Sequence, residues 1–485
     1  MGLRMHAGRA EGVARPGNVT RPGSPPRRWS VARPAKRSAQ RHLSRGVRGR
    51  WPVRSGQVVA ASLMAFLLLG LLGSTLTAAK APSGNTAGVY PKRVVVGALV
   101  SETGPLPALF APIVTGARAY FDMVNAKGGI DGRKIDLAYT LDDQSSPSID
   151  ASQARTLVDE DRVFAVLPVA TALFTGGKFL AAQGVPTFGL NVNPQWMDGP
   201  SLYGNNGSYI NFTSPVVQPA FVAQQHHDHA AAVLAYDVAQ SQEGCQGMLK
   251  GLRKYHVPVA YEDLAIPAPA TDLHADVTRM KRAKVDMVVS CMTLSGDVLL
   301  SETMRATGMK GVTQVWATGY DESAIRQYTT AMQGVYFFEP NVPFEVTKLH
   351  PGVYPGMDQF ERMLHKHFPH TLPSETALAG WTSAALFVQG MRAVGRDLTR
   401  SRLVKAINKI TSFTADTILA PVDWATAHTS SGPLNCSAFV RAEGKAFVPV
   451  YGTPKSVFSC FETPAPPVTK PIRILNPVPA GVPPA

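Results

Sequence analysis

The period of the apolar positions changes along the chain, and each change marks an element. Val94-Val95-Val96-Gly97-Ala98-Leu99-Val100 is a continuous apolar run of strand length, as expected of a parallel strand covered on both faces. Val114, Ala117, Phe121 and Val124 then recur at helical spacing. Lys134 to Leu141 reads as a second strand. Ala151, Ala154, Leu157 and Val158 mark a helix. Val163 to Leu167 and Thr187 to Leu190 read as further strands with a helix between them.

The alternation then restarts. Ala231 to Tyr236 predicts a strand, and Cys245, Met248, Leu252 and Tyr255 share one helical face. Val285 to Cys291 is a strand, Asp297 to Thr307 a helix, Thr313 to Ala317 a strand and Gly334 to Phe338 another. Long helices follow at about 356–368, 375–394 and 399–410. Ser437 to Arg441, the turn Glu443-Gly444-Lys445, and Ala446 to Val450 form a hairpin signal. Strand–helix alternation of this length implies parallel sheets covered by helices on both sides. Two such sets predict an α/β protein of two doubly wound parallel-sheet lobes.

Charge changes this picture only at the N-terminus. Of 48 basic and 34 acidic residues, fourteen and one lie within 1–57, so the remaining chain carries 34 and 33. The net charge of +14 is therefore a property of one tail. A nucleic-acid binder keeps a basic patch on its folded part, so that class is excluded here, and no nucleic-acid partner is expected. Residues 1–57 are rich in Arg, Pro, Gly and Ser and predict a disordered basic segment. Residues 58–78 are uncharged and apolar, which is enough to span a bilayer as a helix. With the Arg-rich flank on the cytoplasmic side, the remainder is placed outside. Ala79-Lys80-Ala81 fits a small-residue cleavage site. A cleaved signal peptide and a retained membrane anchor both remain open, and no lipobox cysteine follows.

Cys245, Cys291, Cys436 and Cys460 are the chain's four cysteines. An even number in an exported domain suggests two disulfides. Three connectivities are open; local pairing, Cys245–Cys291 and Cys436–Cys460, is the expectation. His226-His227-Asp228-His229 reads as a polar helix end before a strand, and no metal site is assigned. The chain contains no G-x-S-x-G, H-E-x-x-H, Walker A loop or post-strand G-x-G-x-x-G. No catalytic residue and no cofactor are expected.

One ordered series of residues is more specific. Thr103-Gly104-Pro105-Leu106 follows the first strand, and Gly116-Ala117 lies in the helix after it. That helix ends in Val124-Asn125-Ala126-Lys127-Gly128-Gly129-Ile130-Asp131-Gly132-Arg133-Lys134-Ile135, and Leu141-Asp142-Asp143 closes the next strand. The series closely resembles the first lobe of type I periplasmic binding proteins of the leucine/isoleucine/valine class, and the likeness extends more loosely to about Phe461. Gly128-Gly129 stop the helix by adopting positive φ, and Asp131-Gly132 turn the chain into the second strand. These residues are scaffold.

The resemblance implies discontinuous lobes joined by a hinge of about three crossovers. Residues 79–92 would be a linker, 93–214 and 339–415 the first lobe, 215–338 and 416–461 the second, and 462–485 a Pro-rich tail. It implies capture of a small polar solute (an amino acid, amide or small carboxylate) by lobe closure, and delivery to ABC permease subunits. A membrane-anchored sensor ectodomain and an extracytoplasmic enzyme are the alternatives.

Ligands of such folds bind outside the carboxyl ends of parallel strands. In the first lobe the resemblance carries this role to Thr103, Leu106, Leu109 and Phe110 after the first strand. Ala170 and Thr171 follow the strand that begins at Val163, and Leu190, Asn191 and Val192 close and follow the next. In the second lobe the matching positions are Ser241, Thr293, Tyr320 and Asp321. The family's aromatic residue is replaced by Ser241, its tyrosine falls near Thr293, and its ammonium-binding acid falls near Gly319. Asp321 also reads as a helix N-cap.

Overall fold

A computed structural model of the chain describes residues 84–104, 107–209, 214–428, 436–461 and 474–475. The expected basic segment, the apolar segment 58–78, Leu106 and most of the Pro-rich tail lie outside the described residues. Among the described residues no helix is long and apolar enough to cross a membrane.

Five parallel strands form the first sheet: β1 (Arg93–Val100), β2 (Lys134–Asp142), β3 (Ala165–Ala170), β4 (Thr187–Gly189) and β5 (Leu202–Gly204), in the order β2-β1-β3-β4-β5. The second sheet begins with β6 (Ala231–Tyr236), β7 (Val259–Ile266), β8 (Met287–Ser290), β9 (Thr313–Trp316) and β10 (Tyr336–Glu339), all parallel. Against β10 the chain adds antiparallel β11 (Cys436–Glu443), which pairs with β12 (Ala446–Val450) and β13 (Ser459–Phe461). The two-lobed α/β architecture is therefore present, and the 446–450 hairpin extends the second sheet. The apolar-run criterion misses β5 and β7. β5 has three residues, and β7 alternates half-buried and exposed positions at the sheet edge.

Several helices fix the geometry: α1 (Pro112–Ala126), α2 (Ala239–Lys254), α3 (Leu294–Ala306), α4 (Glu322–Gln327), α5 (Phe344–Leu349) and α6 (Glu375–Val394). The end of α1 shows why its sequence looks as it does. Asn125 Nδ2 donates to the Ile135 carbonyl, and Ile135 N–H donates to Asn125 Oδ1, both at 2.8 Å. Gly129 has φ +77°, and a Cβ there would lie 2.0 Å from the Arg133 carbonyl oxygen. The Asn and the second Gly are thus required by backbone that doubles back on itself.

Helices α1 and α6 cross on the first sheet without room for side chains. A Cβ on Gly116 would lie 1.7 Å from the Ala377 carbonyl oxygen, and one on Gly380 would lie 2.0 Å from that of Ile113. From this crossing an aromatic chain leads into the second lobe. Tyr120 meets Trp381 edge-on at 4.7 Å, Trp381 meets Phe360, Phe360 meets Phe344, and Phe344 stacks on Tyr320 at 5.4 Å. Tyr320 in turn packs edge-on against Phe447 at 4.8 Å. One hydrophobic cluster therefore runs from β1 and α1 through α6 to β12.

The chain leaves the first sheet after β5, runs through the second to β10, returns in α6 and enters the second sheet again at β11. Residues 416–428, expected with the second lobe, pack on the first. Trp424 meets Tyr203 of β5 edge-on at 5.2 Å, and its backbone N–H donates to the Ile410 carbonyl. The change of lobe thus comes later than residue 415. Disulfides join Cys245 of α2 to Cys291 beside β8, and Cys436 of β11 to Cys460 of β13.

Two predictions follow from packing and cross-links. Gly116→Ala or Gly380→Ala forces the α1–α6 crossing apart and lowers stability by more than about 2 kcal/mol in urea denaturation. Reduction of both disulfides lowers the unfolding midpoint, with each bridge contributing about 3–4 kcal/mol on a chain-entropy account.

Candidate functional site

The C-terminal ends of the parallel strands in both sheets open on one gap. Gln240, just past β6, donates from Nε2 to the carbonyl of Ala172, just past β3, at 3.4 Å. Ser374, which opens α6, forms a backbone bridge with Asp321, which follows β9. The loops after β1, β3, β4, β6, β8, β9 and β10 therefore surround this gap.

On the first lobe, Asp142 holds the loop after β1. Its carboxylate accepts from the N–H groups of Glu102, Thr103 and Gln144 and, at 2.5 Å, from the Thr103 hydroxyl. Desolvation opposes ionisation of Asp142, but these donors outweigh it and lower the pKa. Gly104 has φ +99°, and a Cβ there would lie 2.6 Å from the Gln144 carbonyl oxygen. Leu109 then stands 49% exposed, its carbonyl held by the Thr376 hydroxyl at 2.7 Å. Phe110 turns the other way, buried with Ala98, Val100, Ala170 and Ala379. Leu109 is therefore left facing solvent, whereas Phe110 is core.

Behind the loop after β3 lie two fully buried carboxyl groups. Asp143 Oδ1 accepts from the Ser101 hydroxyl at 2.6 Å and from Ser145 N–H, and Ser101 Oγ accepts from Ala172 N–H. Asp150 Oδ1 accepts from Gly176 N–H at 2.6 Å and from the Thr175 hydroxyl. The second oxygens, Asp143 Oδ2 and Asp150 Oδ2, are buried without a hydrogen-bond partner among the described residues. Burial, with Asp143 close by, pushes Asp150 up to about 7. Adjacent Asp142 and Asp143 thus serve separate partners.

Thr171 is buried, and its hydroxyl has no hydrogen-bond partner among the described residues. Its carbonyl accepts from Asn193 Nδ2 at 3.0 Å. Asn191 is committed within the lobe: its Nδ2 donates to Asn206 Oδ1 at 2.6 Å and to the Gly207 carbonyl. Leu190 and Val192 beside it are half-buried.

On the second lobe Ser241 is a structural lock. It accepts from Tyr236 N–H and donates to the Cys291 carbonyl at 2.7 Å, tying α2 to β6 and β8. Thr293 is exposed before α3, with its Oγ1 3.4 Å from the Tyr236 hydroxyl and 3.0 Å from Ser295 Oγ. Tyr320 is buried, donating to Glu345 Oε2 at 2.7 Å and accepting from Phe344 N–H. Asp321 caps α4 through the N–H groups of Ser323 and Ala324. The sequence reading passed over Glu339, Glu345 and Glu375. Glu339 closes an apolar strand, and Glu375 opens α6 after its Ser374 cap. A charge ending an all-apolar run was the available signal.

The open groove of about 510 Å³ beside His226, Thr313, Tyr336 and Arg441 lies at the opposite ends of the second sheet's strands. Among the described residues no set of His, Cys, Asp and Glu side chains is grouped to hold a metal ion.

Comparison with known proteins now has a geometry to meet. The family model described as periplasmic binding protein matches residues 93–446. The chain belongs to this family. A Leu/Ile/Val-binding protein homolog of Brucella melitensis is 25% identical over 254 residues, 49% of this chain and 67% of that protein. The fold is shared with the branched-chain amino acid transporter substrate-binding protein of Streptococcus pneumoniae, solved with isoleucine. The TM-score is 0.58 at 18% identity, covering 73% of this chain and 98% of that one. It is also shared with a solute-binding protein of an ABC transporter from R. palustris, solved with benzoate, at TM-score 0.57 and 18% identity over 74% and 95%. The family is one of extracytoplasmic substrate-binding proteins.

Asp150 gives the cleft a pH signature. A carboxyl whose folded pKa is raised adds stability that is complete below its unfolded value, near 3.9, and lost as pH rises through its folded value. Stability in urea should therefore fall between about pH 4 and about pH 7. Asp150→Asn should flatten that fall. Glu345, also raised to about 7 by burial, should keep part of it.

Proposed function

We propose that the chain binds a small polar solute between its lobes, outside the cytoplasm, and presents it to the permease subunits of an ABC importer. The observation that carries this reading is the convergence of loops from both sheets on one cleft, bridged at its rim by Gln240 and Ala172. A solute touching both walls favours the closed arrangement, because only that arrangement supplies both sets of contacts. Leu109 offers an apolar surface, and the unpartnered Thr171 hydroxyl offers a polar one.

An amino acid, an amide and a small carboxylate are the solute classes this cleft suits. The name of the Brucella relative, and the isoleucine and benzoate held by the solved structures, support that range. Binding without turnover is the assigned activity. The apolar segment 58–78 would tether the chain at the membrane wherever it is retained.

A thermal-shift panel of amino acids, amides and small carboxylates on the full chain tests the reading. A solute present at a hundredfold its Kd adds about 2.7 kcal/mol of stability, so a true ligand raises the midpoint by several degrees. A flat response across the whole panel would count against solute capture.

A further inference from the structure

We propose that the groove at the start of β1 and β2 is a docking surface for anionic phospholipid, which seats the first lobe on the bilayer that holds segment 58–78. The inference rests on retention of that segment as the membrane tether.

The groove measures about 770 Å³, and its lining includes Tyr90, Lys92, Asp131, Arg133 and Arg396. It opens where β1 and β2 begin, at Arg93 and Lys134, and so lies at the other end of these strands from the cleft. Three of its side chains are cations and one is a carboxylate. Arg133 is held in place: its Nε donates to the Tyr90 carbonyl at 3.2 Å, and its Nη1 to the Arg396 carbonyl at 2.9 Å. Both acceptors are neutral, so the guanidinium is oriented without being neutralised. Among the described residues no salt bridge reaches Lys92, Arg133, Lys134 or Arg396. Neighbouring cations are already paired, Arg93 with Asp136 at 2.9 Å and Arg402 with Asp397 at 3.2 Å.

The positive face is confined to the β2 side of the sheet, because Asp159, Glu160 and Asp161 precede β3 on the other side of β1. Arg396 follows the end of α6, where a cation complements the helix dipole. Lys92 and Arg133 stand on no helix, so the dipole does not account for them. A fixed guanidinium with lysines and a second arginine beside it suits phosphate, whose oxygens accept several N–H groups at once.

Chain connectivity points to a bilayer as the source of that phosphate. From Ala78, which ends the apolar segment, six residue steps lead to Gly84. At no more than about 3.6 Å each, they reach about 22 Å at most. Gly84–Thr86 form a turn tied by Asn85 to Ser401, and Val89 and Tyr90 then line the groove. With segment 58–78 in a bilayer, Gly84 stays within that reach of it. Lys80 adds one more cation to the link. Anionic head groups attract such cations over about a Debye length, ~10 Å at 0.1 M salt. Because groove and cleft lie at opposite ends of the strands, docking leaves the cleft uncovered.

The test is hydrogen exchange of the full chain in nanodiscs of phosphatidylcholine alone and of equal parts phosphatidylcholine and phosphatidylglycerol. The expected result is exchange about fivefold slower or more at 88–93, 130–134 and 395–397 in the anionic discs, an effect lost at about 0.5 M salt. Exchange at 101–110 and 171–176 should be the same in both. Lys92→Gln combined with Arg396→Gln should abolish the slowing, and both side chains are exposed, so this variant keeps the fold. Equal exchange in the two discs by an inserted chain, or slowing that the double variant retains, would overturn docking. So would slowing by inorganic phosphate in phosphatidylcholine discs with none from phosphatidylglycerol, which would make the groove a free-phosphate site. A chain that inserts into neither disc would overturn tether and docking together, and solute capture would still be decided by the thermal-shift panel.

Discussion

The carbonyl oxygens of Ala377 and Ile113 occupy the places where Cβ atoms of Gly116 and Gly380 would stand. That crossing fixes where α6 begins, because α6 cannot slide along α1 without driving a carbonyl into a neighbouring backbone. Its first turn is thereby set at the cleft: Thr376 holds the Leu109 carbonyl, and Ser374 bridges to Asp321. The aromatic chain from Tyr120 through Trp381, Phe360 and Phe344 to Tyr320 carries the same constraint across the hinge. Lobe position is thus transmitted by packed rings and a glycine crossing, with polar groups left free for the cleft.

The two walls of the cleft have different chemistry. The first lobe presents backbone amides and hydroxyls braced from behind by Asp143 and Asp150, which hold the loop around Ala172 and Gly176. The second lobe and the hinge present carboxyl groups that lack protein cations. Burial raises the pKa of acids in both places, but their surroundings differ. Asp143 and Asp150 each have donors on one oxygen, so they stabilise a loop. Glu339 Oε2, at the end of β10, has no hydrogen-bond donor among the described residues.

Much of the fold was legible in the sequence because parallel strands covered on both faces leave uninterrupted apolar runs. Val94 to Val100, Ala231 to Tyr236 and Tyr336 to Phe338 show this directly. Asn125 and Gly129 were legible as scaffold because a side-chain clamp and a positive φ each require one residue type. β7 was not legible, since an edge strand with alternating exposure resembles a loop. The cleft was read by position alone, and position does not tell which way a side chain turns. Leu109 is exposed while its neighbour Phe110 enters the core. Asn191 and Ser241 spend their polar atoms on their own lobe, and Asp321 spends its carboxylate on a helix cap.

The most direct test of the account is hydrogen exchange of the full chain with and without a saturating solute taken from the thermal-shift panel. The account predicts slowed exchange at the same time in the first-lobe loops around 101–110 and 171–176, in the second-lobe segments 291–296 and 336–341, and in the first turn of α6. Protection confined to one lobe, or appearing only away from these segments, would contradict capture of a solute between the lobes.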